Sequence, residues 1–401
     1  MPSAPPAGEP APRDGALPVD ALVGRRPLSL YLHVPFCATR CGYCDFNTYT
    51  AAELGSAPGA SRQAYLAAVG AELDLALQVL GGPRPVETVF FGGGTPTMLE
   101  PGELTGLLDA VRQRFPLAPG AEVTTEANPE SVDPDYLAAL VAAGFNRLSL
   151  GMQSSVPRVL AVLDRRHTPG RVPQVVEWAR AAGFASVSLD LIYGAPGESA
   201  EDWRTSLRAA LALRPDHVSA YSLIVEPGTR LAARVRRGEL AGIDDDVHAA
   251  YYAIADQELT TAGLAWYEVS NWALPGHACR HNVAYWRSHD WWGIGPGAHS
   301  HVGGVRWWNL RHPSRYSARL AVGESPAEGR ELLTPADQRV EAVLLGLRLA
   351  EGIGLDILTP TERRRVPAIL QSGHAELRGD QLHLTLSGRL LADGIVRDLL
   401  D

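Results

Sequence analysis

Three cysteines within eight residues are the strongest chemical signal in the chain. Cys37, Cys41 and Cys44 have the spacing C-x3-C-x2-C and follow a β-rich run. Three thiolates at this spacing can hold three irons of a [4Fe–4S] cube and leave the fourth iron open to a small chelating ligand. The main alternative is zinc, with His33 as a fourth ligand, although no second CxxC pair is present. Structural cysteines without a metal are a third interpretation.

A glycine triplet follows the next β-rich run, in the sequence Gly92-Gly93-Gly94-Thr95-Pro96. Glycine allows a backbone to approach a ligand closely. No Lys-Ser/Thr pair follows, so the segment is not a phosphate-binding P-loop. Taken alone, such a triplet is more often a simple turn. Its position after a β-rich run and downstream of the cysteines, however, favours a functional interpretation.

Polar side chains end or follow three further β-rich runs: Glu126, Gln153 and Asp190. A carboxylate at such a position can accept hydrogen bonds from ribose hydroxyls, as acidic residues do in other nucleotide sites. For an isolated Asp, capping of the next helix is an equal alternative. Arg165 could pair with a ligand carboxylate, or it could simply be a surface arginine.

These residues need a scaffold, and the chain predicts one from residue 27 onwards. The predicted strands are 28–34, 86–91, 121–126, 146–151, 185–191 and 217–223, and the predicted helices between them are 61–80, 101–114, 134–143, 155–164, 171–182 and 200–212. Six βα units in a row imply a parallel sheet, because parallel strands need long crossovers. Periodicity leaves a curved partial barrel and an open doubly wound sheet both open, and in either case chemistry belongs at the carboxyl ends of the strands.

The rest of the chain predicts three further regions around a barrel at 27–228. Residues 1–26 are rich in Pro and Ala and predict a disordered tail. Residues 229–330 predict a connecting region, with two helices followed by a loop-rich segment at 263–310 that is rich in aromatic residues and His. Residues 331–401 read as helix, hairpin and helix, which predicts a small winged-helix-like α+β domain.

Bulk composition narrows the class of protein. The chain has 401 residues, a net charge of -9 and only four cysteines, so a basic nucleic-acid surface and a secreted disulfide scaffold are both disfavoured. No apolar run reaches the length of a membrane span, and the N-terminus has no apolar signal-peptide region. We therefore expect a cytoplasmic protein without nucleic-acid partners. Peripheral contact with a membrane is left open.

Several motifs together resemble one known family. YLHVPFCATRCGYC looks like the signature of the radical-SAM superfamily, and further matches follow in order: GGGTPT at 92–97, TTEANP at 124–129, GMQS at 151–154, RRH at 165–167 and DLIYGAPGES at 190–199. Together they resemble the branch that holds oxygen-independent coproporphyrinogen III dehydrogenase and the heme chaperones of the HemW family. The resemblance covers nearly all of residues 27–400.

The resemblance implies a fold, two cofactors and a set of binding residues. The fold would be a partial (β/α)6 TIM-like radical-SAM barrel, and Cys37, Cys41 and Cys44 would bind a [4Fe–4S] cluster. S-adenosylmethionine would chelate the open iron, and one electron from a reductase, flavodoxin or ferredoxin would cleave it to methionine and a 5′-deoxyadenosyl radical. The family positions for S-adenosylmethionine correspond here to Tyr31, Gly93, Gly94, Thr95, Glu126, Gln153, Arg165, Asp190 and Ile224.

Two features separate the members of this branch. Phe46 stands where the dehydrogenase has a further cysteine, and His281-Asn282-Val283-Ala284-Tyr285-Trp286 resembles the HNxxYW motif linked with heme in HemW proteins. His281 could ligate heme iron or only form hydrogen bonds, and Cys279 could be another ligand or an inert thiol. Seven of the nine tryptophans lie between 266 and 308, where they could contact a flat ligand or form a core between domains.

The leading hypothesis is therefore a heme chaperone that carries heme to an acceptor hemoprotein. The alternative is radical decarboxylation of coproporphyrinogen III, and a third hypothesis, a winged-helix DNA regulator, is disfavoured by the acidic charge. Whether the protein is an enzyme is left open, as are the heme ligand, the number of S-adenosylmethionine molecules and the oligomeric state.

Overall fold

The computed structural model describes residues 8–24, 26–55, 58–165, 168, 170–242 and 244–400. In that part of the chain the strands are β1 (Glu9–Pro10), β2 (Leu28–Val34), β3 (Val86–Gly93), β4 (Leu117–Ala127), β5 (Arg147–Gln153), β6 (Ser186–Tyr193), β7 (His217–Ser222), β8 (Ala265–Glu268), β9 (Asn271–Ala273), β10 (Asp290–Ile294), β11 (His299–Val302), β12 (Val305–Asn309), β13 (Ala327–Leu332), β14 (Ile353–Gly354), β15 (Ala375–Arg378) and β16 (Gln381–Leu384).

The α-helices of the same residues are α1 (Val19–Val23), α2 (Ala51–Leu54), α3 (Arg62–Val79), α4 (Pro101–Arg114), α5 (Pro134–Ala143), α6 (Pro157–Val162), α7 (Arg171–Ala182), α8 (Ala200–Ala212), α9 (Arg230–Arg236), α10 (Asp245–Thr261), α11 (Arg280–Trp286), α12 (Pro313–Ala321), α13 (Pro335–Gly346), α14 (Pro360–Arg363), α15 (Val366–Gln371), α16 (Leu386–Leu390) and α17 (Ala392–Leu400). Short 3-10 turns occur at Pro96–Met98, Pro129–Ser131 and Leu355–Ile357.

Six parallel strands, β2 to β7, lie side by side in the order of the sequence. A doubly wound sheet reverses its strand order at a switch point, and no reversal occurs here, so the partial (β/α)6 barrel is confirmed. Each predicted strand and helix of the barrel is present. Local chemistry explains the helix ends: Ser61 and Asp133 cap helix N-termini, and Gly144 ends α5 in the left-handed region with φ 98°.

The sheet continues beyond the barrel on both sides. Strand β10 pairs parallel with β2, and β11, β12 and β13 follow it in antiparallel order, while β9 and β8 extend the sheet beside β7. The prediction that 263–310 is loop-rich is therefore wrong. Its strands have only three to five residues each, too few for an alternating pattern to stand out from the many aromatic residues.

The N-terminal segment is ordered over residues 8–24 and 26, which corrects the expected disorder for this part, while residues 1–7 and 25 lie outside the described residues. Glu9 pairs with Arg330 of β13, whose Nε donates to the Glu9 carboxylate at 2.6 Å. Ala21 of α1 is buried, at 3% exposure. An edge strand offers unpaired backbone groups to any extended segment, so a two-residue pairing forms without the apolar periodicity that the composition lacks.

The C-terminal region forms a helix-rich unit with its own core, as the helix–hairpin–helix pattern predicts. Strands β14, β16 and β15 make a separate antiparallel sheet, and Val343, Leu382 and Leu399 are among the buried residues of its core. One contact to the large sheet is Arg389, whose guanidinium lies 3.6 Å from the ring centroid of Trp266 and donates to Asp256 at 2.9 Å. No α-helix of the described residues has the length and apolarity of a membrane-spanning segment.

Candidate functional site

One cavity of about 630 Å³ runs through the inside of the barrel. All thirteen residues that the sequence singles out line it: Cys37, Cys41, Cys44, Tyr31, Gly93, Gly94, Thr95, Glu126, Gln153, Arg165, Asp190, Ile224 and His281. They come from segments as far apart in the chain as β2 and α11. The fold therefore brings the complete set together, although at two different ends of the barrel.

The cysteine loop lies at the carboxyl ends of the strands. At the start of the loop, the Cys37 N–H donates a hydrogen bond to the Tyr49 carbonyl at 3.0 Å. In the middle of the loop, the Gly42 N–H donates to the Leu163 carbonyl at 3.1 Å. Burial raises the pKa of the Cys37 thiol and raises that of Cys44 to about 11. Without a metal these thiols stay protonated, and iron binding would displace the protons.

The zinc alternative does not fit this site. His33 is buried, and both ring nitrogens are engaged: Nδ1 lies 3.0 Å from the Tyr31 hydroxyl and Nε2 lies 2.9 Å from the Asn47 carbonyl. Among the described residues, no three His, Cys, Asp or Glu side chains are grouped to share one metal ion. A cluster does not require such a group, because each thiolate binds a different iron.

The glycine triplet packs directly beneath the cysteine loop. A Cβ on Gly94 would lie 2.6 Å from the Phe36 carbonyl oxygen and 3.1 Å from the Cys37 sulfur. Gly93 has φ +109°, and a Cβ there would lie 2.5 Å from the His33 ring. Both positions therefore require glycine, and the triplet is more than the simple turn that its composition alone suggests.

Glu126 and Asp190 face the cavity from neighbouring parts of the sheet. Glu126 accepts a hydrogen bond from the Gly93 N–H at 3.1 Å, and Asp190 accepts from the Ser149 hydroxyl at 3.0 and 2.8 Å. Burial and the nearby Asp190 raise the pKa of Glu126 to about 8, and burial also raises the pKa of Asp190. Neither residue caps a helix in the structure, so the capping alternative is wrong. Two buried carboxyl groups with raised pKa values favour a cationic or hydroxyl-bearing ligand.

Gln153 and Arg165 connect strand β5 to the cysteine loop. Gln153 has φ +66°, where the register between β5 and β6 shifts, and strained backbone of this kind persists at functional sites. Arg165 donates from Nη1 to the Cys41 sulfur at 3.6 Å and from Nη2 to the Gly151 carbonyl at 3.1 Å, and its buried Nε has no partner. Arg165 is therefore not a surface arginine. The neighbouring Arg166 and His167 of the RRH motif lie outside the described residues.

Two apolar side chains that line the cavity are exposed to solvent. Ile224 is 63% exposed and Phe46 is 61% exposed, and both contribute to the cavity lining. Tyr31 lies deeper, in the middle of β2, and Thr95 lies beside the cysteine loop with its hydroxyl 3.9 Å from the Cys37 sulfur.

The opposite end of the cavity is closed by α11, the helix that carries HNVAYW. Glu122 anchors its start by accepting hydrogen bonds from the Arg280 N–H at 3.1 Å and the His281 N–H at 3.0 Å. Arg147 lies 3.9 Å from the same carboxylate. The buried Cys279 contacts Glu122 at 3.6 Å, and burial raises the pKa of its thiol to about 12. Burial and the contact with Glu122 therefore favour the inert-thiol interpretation of Cys279.

His281 does not present a free nitrogen to a ligand. Its ring is 2% exposed, and Nδ1 lies 2.6 Å from the Thr88 hydroxyl while Nε2 lies 2.8 Å from the Tyr285 hydroxyl. The ring also stacks on Phe90, with centroids 5.1 Å apart. Ligation of heme iron would require His281 to give up one of these hydrogen bonds, so the structure favours the hydrogen-bonding interpretation.

The tryptophan-rich segment mostly serves as core. Trp272, Trp292, Trp307 and Trp308 are buried, at 7% exposure or less. Trp292 and Trp307 pack edge to face, with ring centroids 4.8 Å apart. Trp272, Trp292 and Trp307 belong to the core of the large sheet rather than to a core between domains.

Sequence reasoning missed Arg147 and His217, which line the cavity, and Glu122, which lies 3.9 Å from Arg147. Glu122, Arg147 and His217 lie in strands that the sequence predicts correctly, but at their amino-terminal parts, where no chemistry is expected. Tyr285 lies four residues after His281 in α11 and hence on the same face of the helix. Nothing in the sequence signals Glu122, whose role depends on a helix more than 150 residues away.

Comparison with known proteins places these observations in context. The family model described as "Radical SAM superfamily" matches residues 31–210. The heme chaperone HemW of Mycobacterium tuberculosis is 54% identical over 96% of this chain and 97% of its own length, and that of Escherichia coli is 41% identical over 69% and 70%. Among solved structures, coproporphyrinogen III oxidase (HemN) from Escherichia coli is similar with a TM-score of 0.81 and 24% identity, covering 94% of this chain and 92% of that one.

Proposed function

The chain belongs to the radical SAM superfamily and, within it, to the family of the heme chaperone HemW, and from this we propose that it binds heme and delivers it to an acceptor hemoprotein. The observation that carries the proposal is 54% identity to a protein named as a heme chaperone, over 96% of the chain. The aligned region covers the barrel, the extended sheet and the C-terminal unit. The acceptor is not identified by any feature of the chain.

The cofactor part of the proposal rests on the carboxyl-end half of the cavity. Cys37, Cys41 and Cys44 would hold a [4Fe–4S] cluster, whose open iron, once reduced, supplies the electron that cleaves S-adenosylmethionine. Gly93 and Gly94 allow strand β3 to pack closely against His33 and the cysteine loop. The Glu126 and Asp190 carboxylates can accept hydrogen bonds from the ribose and amino groups of the ligand. The unpartnered Nε of Arg165 fits this assignment, because a buried donor without a partner is costly unless a ligand or water accepts from it.

The second candidate function is the oxidative decarboxylation of coproporphyrinogen III. It is favoured by the fold shared with coproporphyrinogen III oxidase, but at 24% identity this similarity extends only to the fold. Phe46 argues against this function. It lines the cavity two residues after Cys44, at the position where the dehydrogenase has a further cysteine.

One anaerobic experiment separates the two functions. The protein is reconstituted with iron and sulfide, titrated with heme by following the Soret band, and incubated in parallel with coproporphyrinogen III, dithionite and S-adenosylmethionine. We expect saturable heme binding and no protoporphyrinogen IX by chromatography, with some uncoupled 5′-deoxyadenosine formation. Absence of saturable heme binding would contradict the chaperone proposal. Multiple turnovers above the no-protein control would establish the enzyme instead.

The electron donor, the cellular location and the heme ligand of this protein stay predictions. A reductase, flavodoxin or ferredoxin would reduce the cluster, and a cytoplasmic location follows only from the cysteine pattern. His281 was proposed as a heme ligand, and an altered Soret spectrum in His281→Ala would support that role despite the two hydrogen bonds of the ring. An unchanged spectrum would leave another ligand to be found.

A further inference from the structure

Four residues of the cavity wall each carry a buried nitrogen or oxygen that has no hydrogen-bond partner among the described residues. They are Arg40, Thr124, Arg147 and Arg165. Arg40 belongs to the cysteine loop and Arg165 donates to the Cys41 sulfur, so both lie at the cofactor end. Thr124 and Arg147 lie on strands β4 and β5, and the cofactor assignment does not use them. A buried donor without a partner is costly, so this second pair indicates an accepting group inside the barrel.

Thr124 and Arg147 lie side by side on neighbouring strands. They are register partners in the parallel pairing of β4 with β5, and such partners project from the same face of a sheet. That face points into the barrel, because Arg147, Ser149 and Gln153 alternate along β5 and all line the cavity. Nη2 of Arg147 and Oγ1 of Thr124 are therefore two unpartnered donors on one part of the cavity wall.

The folded chain holds Arg147 in place and satisfies its polar neighbour. Nη1 of Arg147 donates to the Ser186 hydroxyl at 3.0 Å and to the His277 carbonyl at 2.8 Å. Both ring nitrogens of His217, which also lines the cavity, lie within hydrogen-bond distance of hydroxyl groups, at 2.7 and 2.9 Å. Arg147 is 3% exposed and Thr124 is fully buried, so bulk water does not compensate their free donors.

The carboxylates near Arg147 do not occupy Nη2. Glu122 lies 3.9 Å from Nη1, too far for a hydrogen bond, and accepts instead from backbone N–H groups of α11. Asp190 is near enough for Arg147 to affect its electrostatics, but it accepts from the Ser149 hydroxyl. An arginine N–H and a hydroxyl on one wall match the two oxygens of a carboxylate.

We propose that Arg147 and Thr124 form a carboxylate-binding subsite inside the barrel, for a ligand other than S-adenosylmethionine. Under the cofactor assignment, the amino and carboxylate groups of S-adenosylmethionine are bound to the open iron at the other end of the cavity. The subsite rests on the proposed function only in the name of its ligand: heme carries two propionate groups. One propionate would accept from Nη2 of Arg147 and from the Thr124 hydroxyl.

The test compares heme with heme dimethyl ester, whose propionates are uncharged, by Soret titration of cluster-loaded protein. Wild-type protein should bind heme about tenfold more tightly than the ester, the usual loss for a hydrogen bond to a charged group. This preference should largely disappear in Arg147→Gln and in Thr124→Val. Thr125→Val is the matched control and should keep it: Thr125 is buried on the same strand and donates to the Glu126 carbonyl at 3.1 Å, but it is not part of the cavity wall.

Thr124→Val keeps the test decisive if Arg147→Gln does not fold. Valine removes a buried hydroxyl that has no partner, so the urea midpoint of the ligand-free variant should be at least that of the wild type. A lower midpoint would mean that the folded chain already uses this hydroxyl, and would overturn the subsite. Equal binding of heme and ester by wild-type protein, or a wild-type preference in Thr124→Val, would overturn it as well. Weaker S-adenosylmethionine binding in Thr124→Val, measured by anaerobic calorimetry, would assign the hydroxyl to the cofactor instead.

Failure of the subsite can be told from failure of the proposed function. Wild-type protein that binds no heme contradicts the chaperone proposal, and the subsite is then decided with coproporphyrin III, a metal-free porphyrin with four carboxylates, against its tetramethyl ester. A preference for the free acid that is lost in Thr124→Val would support the subsite. Absence of such a preference would overturn it.

Discussion

The two ends of the barrel cavity use polar residues in opposite ways. At the carboxyl ends of the strands, Gln153 has a strained backbone, Arg165 keeps a buried Nε without a partner, and Glu126 and Asp190 have raised pKa values. At the closed end, Glu122 is bound by two backbone N–H groups and lies near Arg147. The carboxylate at the closed end is therefore satisfied by the folded chain, while Nη2 of its neighbour Arg147 has no hydrogen-bond partner among the described residues.

This difference shows how a binding residue can be told from a scaffold residue of the same type. Glu126 and Glu122 lie four residues apart on one strand, yet Glu126 lines the cavity near a second carboxyl group, whereas Glu122 accepts hydrogen bonds from the first N–H groups of α11. Residue type and strand position do not separate them. The two residues differ instead in the number of hydrogen bonds that the folded chain already supplies to each carboxylate. A carboxylate with satisfied lone pairs has little to offer to a ligand.

The largest expected difference between the two ends of the cavity is in the iron content of their cysteine variants. Cys41→Ala should abolish the iron–sulfur absorption and lower the iron content, because each thiolate holds a separate iron. Cys279→Ala is the matched control at the closed end and should leave both unchanged. Iron analysis and visible spectra after anaerobic reconstitution check the pair, and four irons retained in Cys41→Ala would remove the basis for the cluster assignment.

The next largest effect should be on stability, at the closed end. Glu122→Ala removes the acceptor for two N–H groups of α11 and leaves the nearly buried Arg147 without its counter-ion. Loss of one partner of a buried pair costs about 3–5 kcal/mol. Urea unfolding with a probe of the barrel should show this loss. A variant as stable as wild type would mean that Glu122 is not the anchor of α11.

Much of the barrel could be predicted from the sequence because its βα units have long, strongly periodic helices. Strand β2 and helix α5 have the predicted bounds, since Asp133 and Gly144 mark the ends of α5 chemically. The strands of 263–332 could not be predicted, because they owe their conformation to pairing with β2, β7 and one another rather than to local pattern. Strand β1 likewise exists only through its partner β13.

The candidate site shows the same division. Cys37, Gly94 and Asp190 could be found because the cluster loop and strand ends have recognisable spacing. The role of His281 could not, because the sequence does not show that Thr88 and Tyr285 occupy both ring nitrogens. A histidine whose partners come from distant segments is ambiguous until the fold is known.

A smaller effect should separate the carboxylates of the two ends by ligand affinity. Glu126→Ala and Asp190→Ala should each weaken S-adenosylmethionine binding about ten- to a hundredfold, the range for hydrogen bonds to charged groups. Iron content should stay at the wild-type level, because neither carboxylate is a proposed cluster ligand. Calorimetry on cluster-loaded protein measures the affinity, and unaltered affinity in both variants would contradict their placement in the binding site.

The smallest expected effect is a dependence of this affinity on pH. The pKa of Glu126 in the ligand-free protein is raised to about 8 by burial and by Asp190, and the Gly93 N–H lowers it only in part. A cationic ligand prefers the ionised carboxylate, so below this pKa binding must displace a proton. Affinity should therefore rise with pH through about 8, gaining about tenfold between roughly pH 7 and 9 by linkage to one proton.

Glu126→Gln isolates the contribution of this carboxyl group. The ammonium of S-adenosylmethionine titrates in both proteins, and the tyrosines that face Glu126 (Tyr31, Tyr221 and Tyr285) have pKa values raised by burial and stay neutral throughout this range. Asp190, whose pKa is also raised, is present in both proteins. The ratio of wild-type to Glu126→Gln affinity should therefore rise with pH. A ratio that does not change would mean that Glu126 is already ionised before the ligand binds, and that the open end of the cavity is as well compensated as the closed end.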